Sequence, residues 1–201
     1  MRQLPWIIVL VAVAISFGLW LGLRPPAAPD YVAFSQYPQV RSLSPFTLDG
    51  ADGQTVDAKR LAGKYQLVFF GFTHCPDVCP TALAVMREID RGLASAKLND
   101  RVGFLFVSVD PERDDLKTLG EYAKYFSPNI RAATADHERL GALTREMGVL
   151  YVRAQTNAPD YSVDHSAAVF VLDAQGRLIG RFSPPLDAAK MLADLQRIAE
   201  S

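Results

Sequence analysis

Thr73-His74-Cys75-Pro76-Asp77-Val78-Cys79-Pro80 holds the only two cysteines of a 201-residue chain, four positions apart. Immediately before it, Tyr65-Gln66-Leu67-Val68-Phe69-Phe70-Gly71-Phe72 is rich in aromatic and branched apolar side chains and reads as a buried strand. Immediately after it, Ala82, Val85, Met86, Ile89 and Leu93 form one apolar stripe at helical spacing, which predicts a helix over 81–93. Both thiols therefore fall on a strand-to-helix turn. Unpaired backbone N–H groups and the positive end of the helix dipole favour thiolate there. Thiolate is the form that attacks disulfides and binds metals.

The spacing narrows that chemistry. Three residues separate the cysteines, one more than in common dithiol redox motifs, and Pro76 and Pro80 stiffen the turn. Such a loop lets two sulfurs converge on one point without forcing a bond between them. A structural disulfide here would close only a short loop and contribute little chain-entropy stabilisation. Two thiolates suit Cu(I) or Zn(II) but leave the coordination incomplete, so a third ligand must come from elsewhere. The chain offers three histidines, His74, His137 and His165.

Composition bounds the rest. With 49% hydrophobic residues, the chain suits one domain plus a short appendage. A formal net charge of −1 gives no basic field and no reason to expect nucleic acid as a partner. Residues 5–23 carry no charge, and about 20 apolar residues are what a ~30 Å hydrocarbon core requires. Arg24, Pro25 and Pro26 end that run sharply. Residues 1–24 therefore read as a transmembrane anchor; Ala27-Ala28 is a weak cleavage site of the kind a signal peptide carries. Residues 25–34 read as a proline- and alanine-rich linker, and 35–201 as the folded domain. A short amino-terminal tail left in the cytoplasm sends that domain across the membrane. The expected location is a bacterial inner membrane, single-pass, with the domain in the oxidising periplasm.

Within the domain, 46–48 and 55–56 read as short strands around the turn-forming stretch 49–53. A buried strand is expected over 102–109, helices over 116–126 and 138–147, and a strand over 149–152 before a polar excursion at 154–160. Strands 167–172 and 178–182 form a hairpin across 173–176, and a last helix covers 187–199. This strand–helix–strand order, closed by a helix and a hairpin, is a thioredoxin-like α/β fold: a central mixed sheet flanked by helices. In that fold the loop entering the 167–172 strand crosses over the cysteine turn. His165 then closes a two-sulfur, one-nitrogen site able to hold Cu(I) and Cu(II). His74 adjoins Cys75, and neighbours on an extended segment point opposite ways. His137 opens a polar helix and reads as a solvated surface residue.

The octet, the segment Val107-Ser-Val-Asp-Pro-Glu-Arg-Asp114 and Val163-Asp-His-Ser-Ala167 together resemble the Sco/SenC family. Its members are membrane-anchored, thioredoxin-like copper chaperones for cytochrome c oxidase assembly. The resemblance covers roughly residues 35–198, with the three motifs in the family's order. It implies that Cys75, Cys79 and His165 are the copper ligands. It also implies delivery of copper to the binuclear copper centre of cytochrome c oxidase subunit II, with a periplasmic copper protein as possible donor. Preference for copper over zinc rests on this resemblance.

Two other readings stand beside that one. Cys75 and Cys79 can form a redox-active dithiol that reduces the oxidase's own copper-ligand cysteines through a mixed disulfide. A peroxidase or general redox enzyme of the same fold is the third, against which the retained His165 and the three-residue spacing argue. The Asp110-Pro111-Glu112-Arg113-Asp114 stretch reads as a rigid turn that shapes one wall of the site.

Overall fold

Strand β4 (Tyr65–Gly71) lies in the middle of the main sheet. The structure is a computed structural model and describes residues 4–22, 30–149, 151–153, 163–165 and 167–200; side chains at 152–153, 163–165 and several first-helix positions fall outside that description. Residues 25–29 of the expected linker and the excursion at 154–160 lie outside the described residues. The chain divides into two units, Met1–Asp30 and Tyr31–Ser201. The first contains helix α1 (Leu4–Gly22), which carries no acidic residue in its first turn and no basic one in its last. Its described apolar side chains, Trp6, Leu10 and Trp20 among them, are exposed. Among the described residues no helix is long and apolar enough to cross a membrane.

The second unit runs β1 (Phe34–Arg41), β2 (Thr47–Gly50), β3 (Thr55–Asp57), α2 (Ala58–Leu61), β4, α3 (Val78–Ser95), β5 (Val102–Ser108), α4 (Leu116–Phe126), β6 (Ile130–Thr134), α5 (His137–Met147), β7 (Tyr151–Arg153), β8 (Val163–His165), β9 (Val169–Leu172), β10 (Leu178–Phe182) and α6 (Ala188–Glu200). Its main sheet has the order β1-β10-β9-β4-β5-β6-β2-β3, and β7 pairs with β8 apart from it. Strands β4, β5 and β6 are parallel, and β9 runs antiparallel along the other side of β4. This mixed sheet with its flanking helices is the thioredoxin-like arrangement expected.

Burial explains why β4 reads as a continuous apolar run. From Gln66 to Gly71 every residue is buried, as in parallel strands covered on both faces. Phe69 stacks on Phe106 of β5 with centroids 6.1 Å apart, and Phe70 meets Phe170 of β9 edge-on. Each such ring taken out of water stabilises the fold by about 1.5–3 kcal/mol. Helix α3 turns Ala82, Leu83, Met86, Ile89 and Leu93 inward and packs against α6 and α4. The expected stripe included Val85, which is only half-buried; Leu83 takes the interior place.

Three differences from the sequence reading have physical causes. Helix α3 starts at Val78, three residues earlier than expected, so Cys79 and Pro80 belong to its first turn. The first turn leaves N–H groups unpaired in any case, so proline costs nothing there. Strand β1 was hidden because its Phe-Ser-Gln-Tyr-Pro-Gln-Val-Arg sequence is almost wholly exposed at a sheet edge, where proline and polar residues are tolerated. Strand β6 was hidden because Ile-Arg-Ala-Ala-Thr has too little apolar mass to read as core until α4 covers it.

The entry to this unit is clamped. Asp194 of α6 is fully buried and accepts the backbone N–H groups of Val32 (3.0 Å), Ala33 (2.7 Å) and Phe34 (2.8 Å).

Candidate functional site

The parallel register decides which motifs meet. Gly71 at the end of β4 lies opposite Ser108 at the end of β5. The cysteine turn leaves from the first and the Asp110–Asp114 stretch from the second, so two motifs distant in sequence share one end of the sheet. Cys75 sits in the turn, half-buried, and Cys79 in the first turn of α3, fully buried; no disulfide joins them. The Cys79 backbone N–H donates to Cys75 Sγ at 3.4 Å, and the Cys75 N–H reaches the Phe72 carbonyl at 3.4 Å. One helix-terminal donor is thus spent on a sulfur, as the turn chemistry implies.

For Cys79 the expectation of a favoured thiolate is overturned. Burial pushes its thiol well above the ordinary range, the Phe72 N–H pulls the other way, and the Cys75 thiol and nearby negative charge add to the rise. A helix terminus offers typically 0.3–1 kcal/mol to a charge, under one pKa unit. Desolvation of a fully buried group is worth up to ~3–5 units. Burial wins.

Gly71 makes that burial possible. A methyl group there would stand 2.7 Å from Cys79 Sγ and 3.0 Å from the Phe106 ring. The Cys79 sulfur occupies the space that any other residue at position 71 would fill.

Asp114 organises the turn from the opposite loop. Its carboxylate is fully buried. It accepts the Thr73 backbone N–H at 2.9 Å, the Thr73 hydroxyl at 2.5 Å and the Ser108 hydroxyl at 2.6 Å. His74 Nδ1 lies 3.6 Å from the same carboxylate and 3.1 Å from Thr73 Oγ1. Because the Thr73 hydroxyl gives its proton to Asp114, His74 Nδ1–H is the donor to Thr73. The His74 ring is thus turned toward Thr73 and Asp114, on a side chain that is about half exposed. Asp110, also buried, pairs with Arg113, whose guanidinium stands 5.4 Å over the Phe72 ring. The expected wall is present, and it is bonded to the turn as well as bordering it.

Sequence reasoning missed two groups here. Asp114 was read only as part of a turn, and Tyr122 of α4 only as a helix residue. Tyr122 packs on Phe106, and burial first, with coupling to the neighbouring acidic groups Cys79, Cys75 and Asp114 after it, pushes its phenol up. Leu119, Tyr122, Ala123 and Phe126 share a helical spacing that predicts an inward face, but nothing local says which end of the sheet that face meets. His137, expected to be simply solvated, is exposed yet bonded to Glu112 of the same loop at 2.7 Å.

His165 ends β8, paired opposite Tyr151, with Asp164 opposite Val152. Its imidazole lies outside the described residues, as does the Asp164 carboxylate. Among the described residues no group of three or more metal-ligating side chains is brought together. Two of the three expected ligands are therefore placed as side chains, adjacent to one another.

The inequality of the thiols has a direct readout. In the reduced, folded protein, iodoacetamide at pH 8 is expected to alkylate Cys75 and leave Cys79 untouched. Raising the pH to about 10 should not open Cys79, because a thiol whose pKa is raised stays protonated through that range. Mass spectrometry of the labelled peptides checks this; equal labelling at both positions would contradict the buried, protonated state.

A sequence model of the SCO1/SenC family matches residues 35–200. A SCO2-like protein of Rickettsia felis is 32% identical over 182 residues, covering 88% of each chain. The structure of Bradyrhizobium japonicum ScoI with copper bound superposes with a TM-score of 0.70 at 36% identity, covering 78% of this chain and 99% of that one. Apo Sco1 from Thermus thermophilus gives a TM-score of 0.75 at 35% identity, over 86% of this chain and 99% of that one.

Proposed function

The chain belongs to the SCO1/SenC family, and from that premise we propose that it is a membrane-anchored copper chaperone. In this reading it delivers copper to the binuclear copper centre of cytochrome c oxidase subunit II. The observation that carries the proposal is the pair of adjoining, unbridged thiols, one half-buried and one buried, at the junction between β4 and α3. Soft sulfur donors suit Cu(I), and a similar protein, ScoI, has been solved with copper bound.

The ligand set is Cys75, Cys79 and His165. Two thiolates and one imidazole accommodate Cu(I) and Cu(II) alike. Binding the ion removes the Cys79 proton, so burial that disfavours a bare thiolate is offset by the metal's charge. Three ligands leave the ion open to an incoming thiolate of the recipient, which attacks before the donor ligands let go. Cys75, the more accessible sulfur, is the natural side of approach. The metal comes from a periplasmic copper donor. The uncharged run at 5–23 supports anchoring in a bacterial inner membrane, with the domain in the periplasm.

A second reading, thiol–disulfide exchange, is favoured by the same accessible–buried pairing. Cys75 thiolate would attack a disulfide between the oxidase's copper-ligand cysteines and release one of them as thiolate. Cys79 would then resolve the mixed disulfide, freeing the second target thiol and leaving Cys75–Cys79 oxidised. That disulfide would abolish copper binding.

Copper titration of the reduced, anaerobic full chain tests the proposal. One tight copper per chain is expected, with sulfur-to-copper charge-transfer absorption for Cu(II). His165→Ala should weaken binding severely while leaving disulfide reduction largely intact. Copper affinity that survives this change would exclude His165 from the ligand set, and absence of tight copper with a readily cycling disulfide would favour the second reading.

A further inference from the structure

One polar group beside the cysteines takes no part in the chemistry above. Tyr122 shares the inward side of α4 with the buried Leu119 and Ala123 and is itself half-buried. Its ring packs on Phe106 at 5.9 Å and on Phe126 at 5.4 Å. Among the described residues its hydroxyl forms no hydrogen bond. Asp114, the carboxylate of the adjoining loop, already accepts from Thr73 and Ser108. A tyrosine hydroxyl withdrawn from water ordinarily finds a partner, so this donor calls for one.

Geometry directs it at Cys79. Helix α4 opens at the cysteine end of the sheet, because its Asp115 cap follows directly on Asp114, which holds the cysteine turn at Thr73. Side chains on a helix lean toward its N-terminus, which for Tyr122 is toward the cysteines. The rings set the depth. The place a methyl group on Gly71 would take lies 2.7 Å from Cys79 Sγ and 3.0 Å from the Phe106 ring. Phe106 is thus a common neighbour of the Cys79 sulfur and the Tyr122 ring. Electrostatics agree: after burial itself, Cys79 influences the phenol most, ahead of Cys75 and Asp114.

Charge on the Cys79 sulfur is opposed by burial and helped by one backbone group, at Phe72. A second donor would be worth more there than in water, since bonds to charged groups are the strong ones.

We propose that Tyr122 is a positioning residue of the sulfur site, its phenol O–H donating to Cys79 Sγ when that sulfur is a thiolate or is bound to copper. The bond draws electron density from the sulfur. It therefore steadies the thiolate in exchange and favours Cu(I) over Cu(II) in the metal site. Like the copper and exchange readings, this role takes Cys79 as a working sulfur.

The test uses the full chain with Tyr122→Phe, which keeps the ring on Phe106 and Phe126 and removes only the hydroxyl. Tyr125→Phe, at an exposed tyrosine of the same helix, is the control and should match the parent throughout. The metal-free arm uses an aromatic disulfide whose released thiolate is coloured. Cys75 thiolate attacks it, releasing one aromatic thiolate and leaving a mixed disulfide. Cys79, its proton given to solvent, then attacks the Cys75 sulfur, releasing the second and closing the Cys75–Cys79 disulfide. Tyr122→Phe should leave the first phase unchanged and slow the second roughly threefold. The thiolate fraction falls about tenfold, and the greater nucleophilicity of the more basic sulfur offsets part of it.

In the copper arm, the charge-transfer band of the Cu(II) form should move to longer wavelength, because the sulfur holds its electrons less tightly. The ratio of Cu(I) to Cu(II) affinity should fall roughly tenfold. An unchanged second phase, or an unmoved charge-transfer band, would overturn the role and leave Tyr122 as packing. Absence of tight copper in the parent would count against the copper reading alone, with the second phase still deciding on Tyr122.

Discussion

Cys79→Ser is expected to abolish tight copper binding and disulfide reduction together. A serine hydroxyl is a hard, weakly acidic donor that cannot replace a thiolate toward Cu(I). The loss should exceed the roughly 10–100-fold that altering an outer partner of a metal ligand costs. Exchange fails for a different reason, because one sulfur can enter a mixed disulfide but cannot resolve it. The fold should survive. Serine is smaller than cysteine and fits the space beside Gly71, at a cost of about 1–3 kcal/mol for a buried hydroxyl without a full set of partners. Competition titration with a Cu(I) chelator, alongside thermal unfolding, checks both halves. Copper affinity within tenfold of the parent would remove Cys79 from the site.

The second large effect lies off the sulfur atoms. Asp114→Ala is expected to lower stability by about 3 kcal/mol and to loosen the cysteine turn. The change removes one buried carboxylate that receives three hydrogen bonds. It leaves the Thr73 N–H and the Ser108 hydroxyl without their acceptor, at about 1–3 kcal/mol for each group stranded in the interior. For a domain of this size, 3 kcal/mol corresponds to a fall of roughly 6–12 °C in Tm. Asp114→Asn keeps the shape and one acceptor oxygen, so it should recover part of the loss. Calorimetry on both variants, with alkylation rates at Cys75, gives the answer. An alanine variant as stable as the parent, with unchanged Cys75 reactivity, would show that the carboxylate does not hold the turn.

The contrast between these residues shows what a sequence can and cannot disclose. Cys75 and Cys79 announce themselves through spacing and the switch from strand to helix periodicity, and α4, α5, β5 and the β9–β10 hairpin follow the same local signals. Asp114 is different. It meets Thr73 across 41 positions of sequence, and the meeting depends on the parallel register that sets Gly71 beside Ser108. No local pattern encodes that register. The burial of Cys79 was hidden for the same reason, since it follows from the missing side chain at Gly71 and the ring of Phe106 on the next strand. Strands β1 and β6 escaped because one is polar at an edge and the other small in the middle. In both, the neighbours supply what the strand's own composition lacks.

Under the proposed anchoring at the amino-terminal side, the Asp194 clamp acquires a mechanical meaning. Tension arriving along the chain reaches Tyr31 and Val32 first. There it meets three N–H donors gripping one carboxylate on α6, ahead of the first β1–β10 rung at Phe34 and Phe182. Bonds that converge on one point share a load, whereas ladder rungs pulled from one end fail in turn. The clamp therefore works as a strain relief: a tug must break the whole cluster before the edge strand can begin to unzip, and the cysteine end of the sheet stays unperturbed until it does.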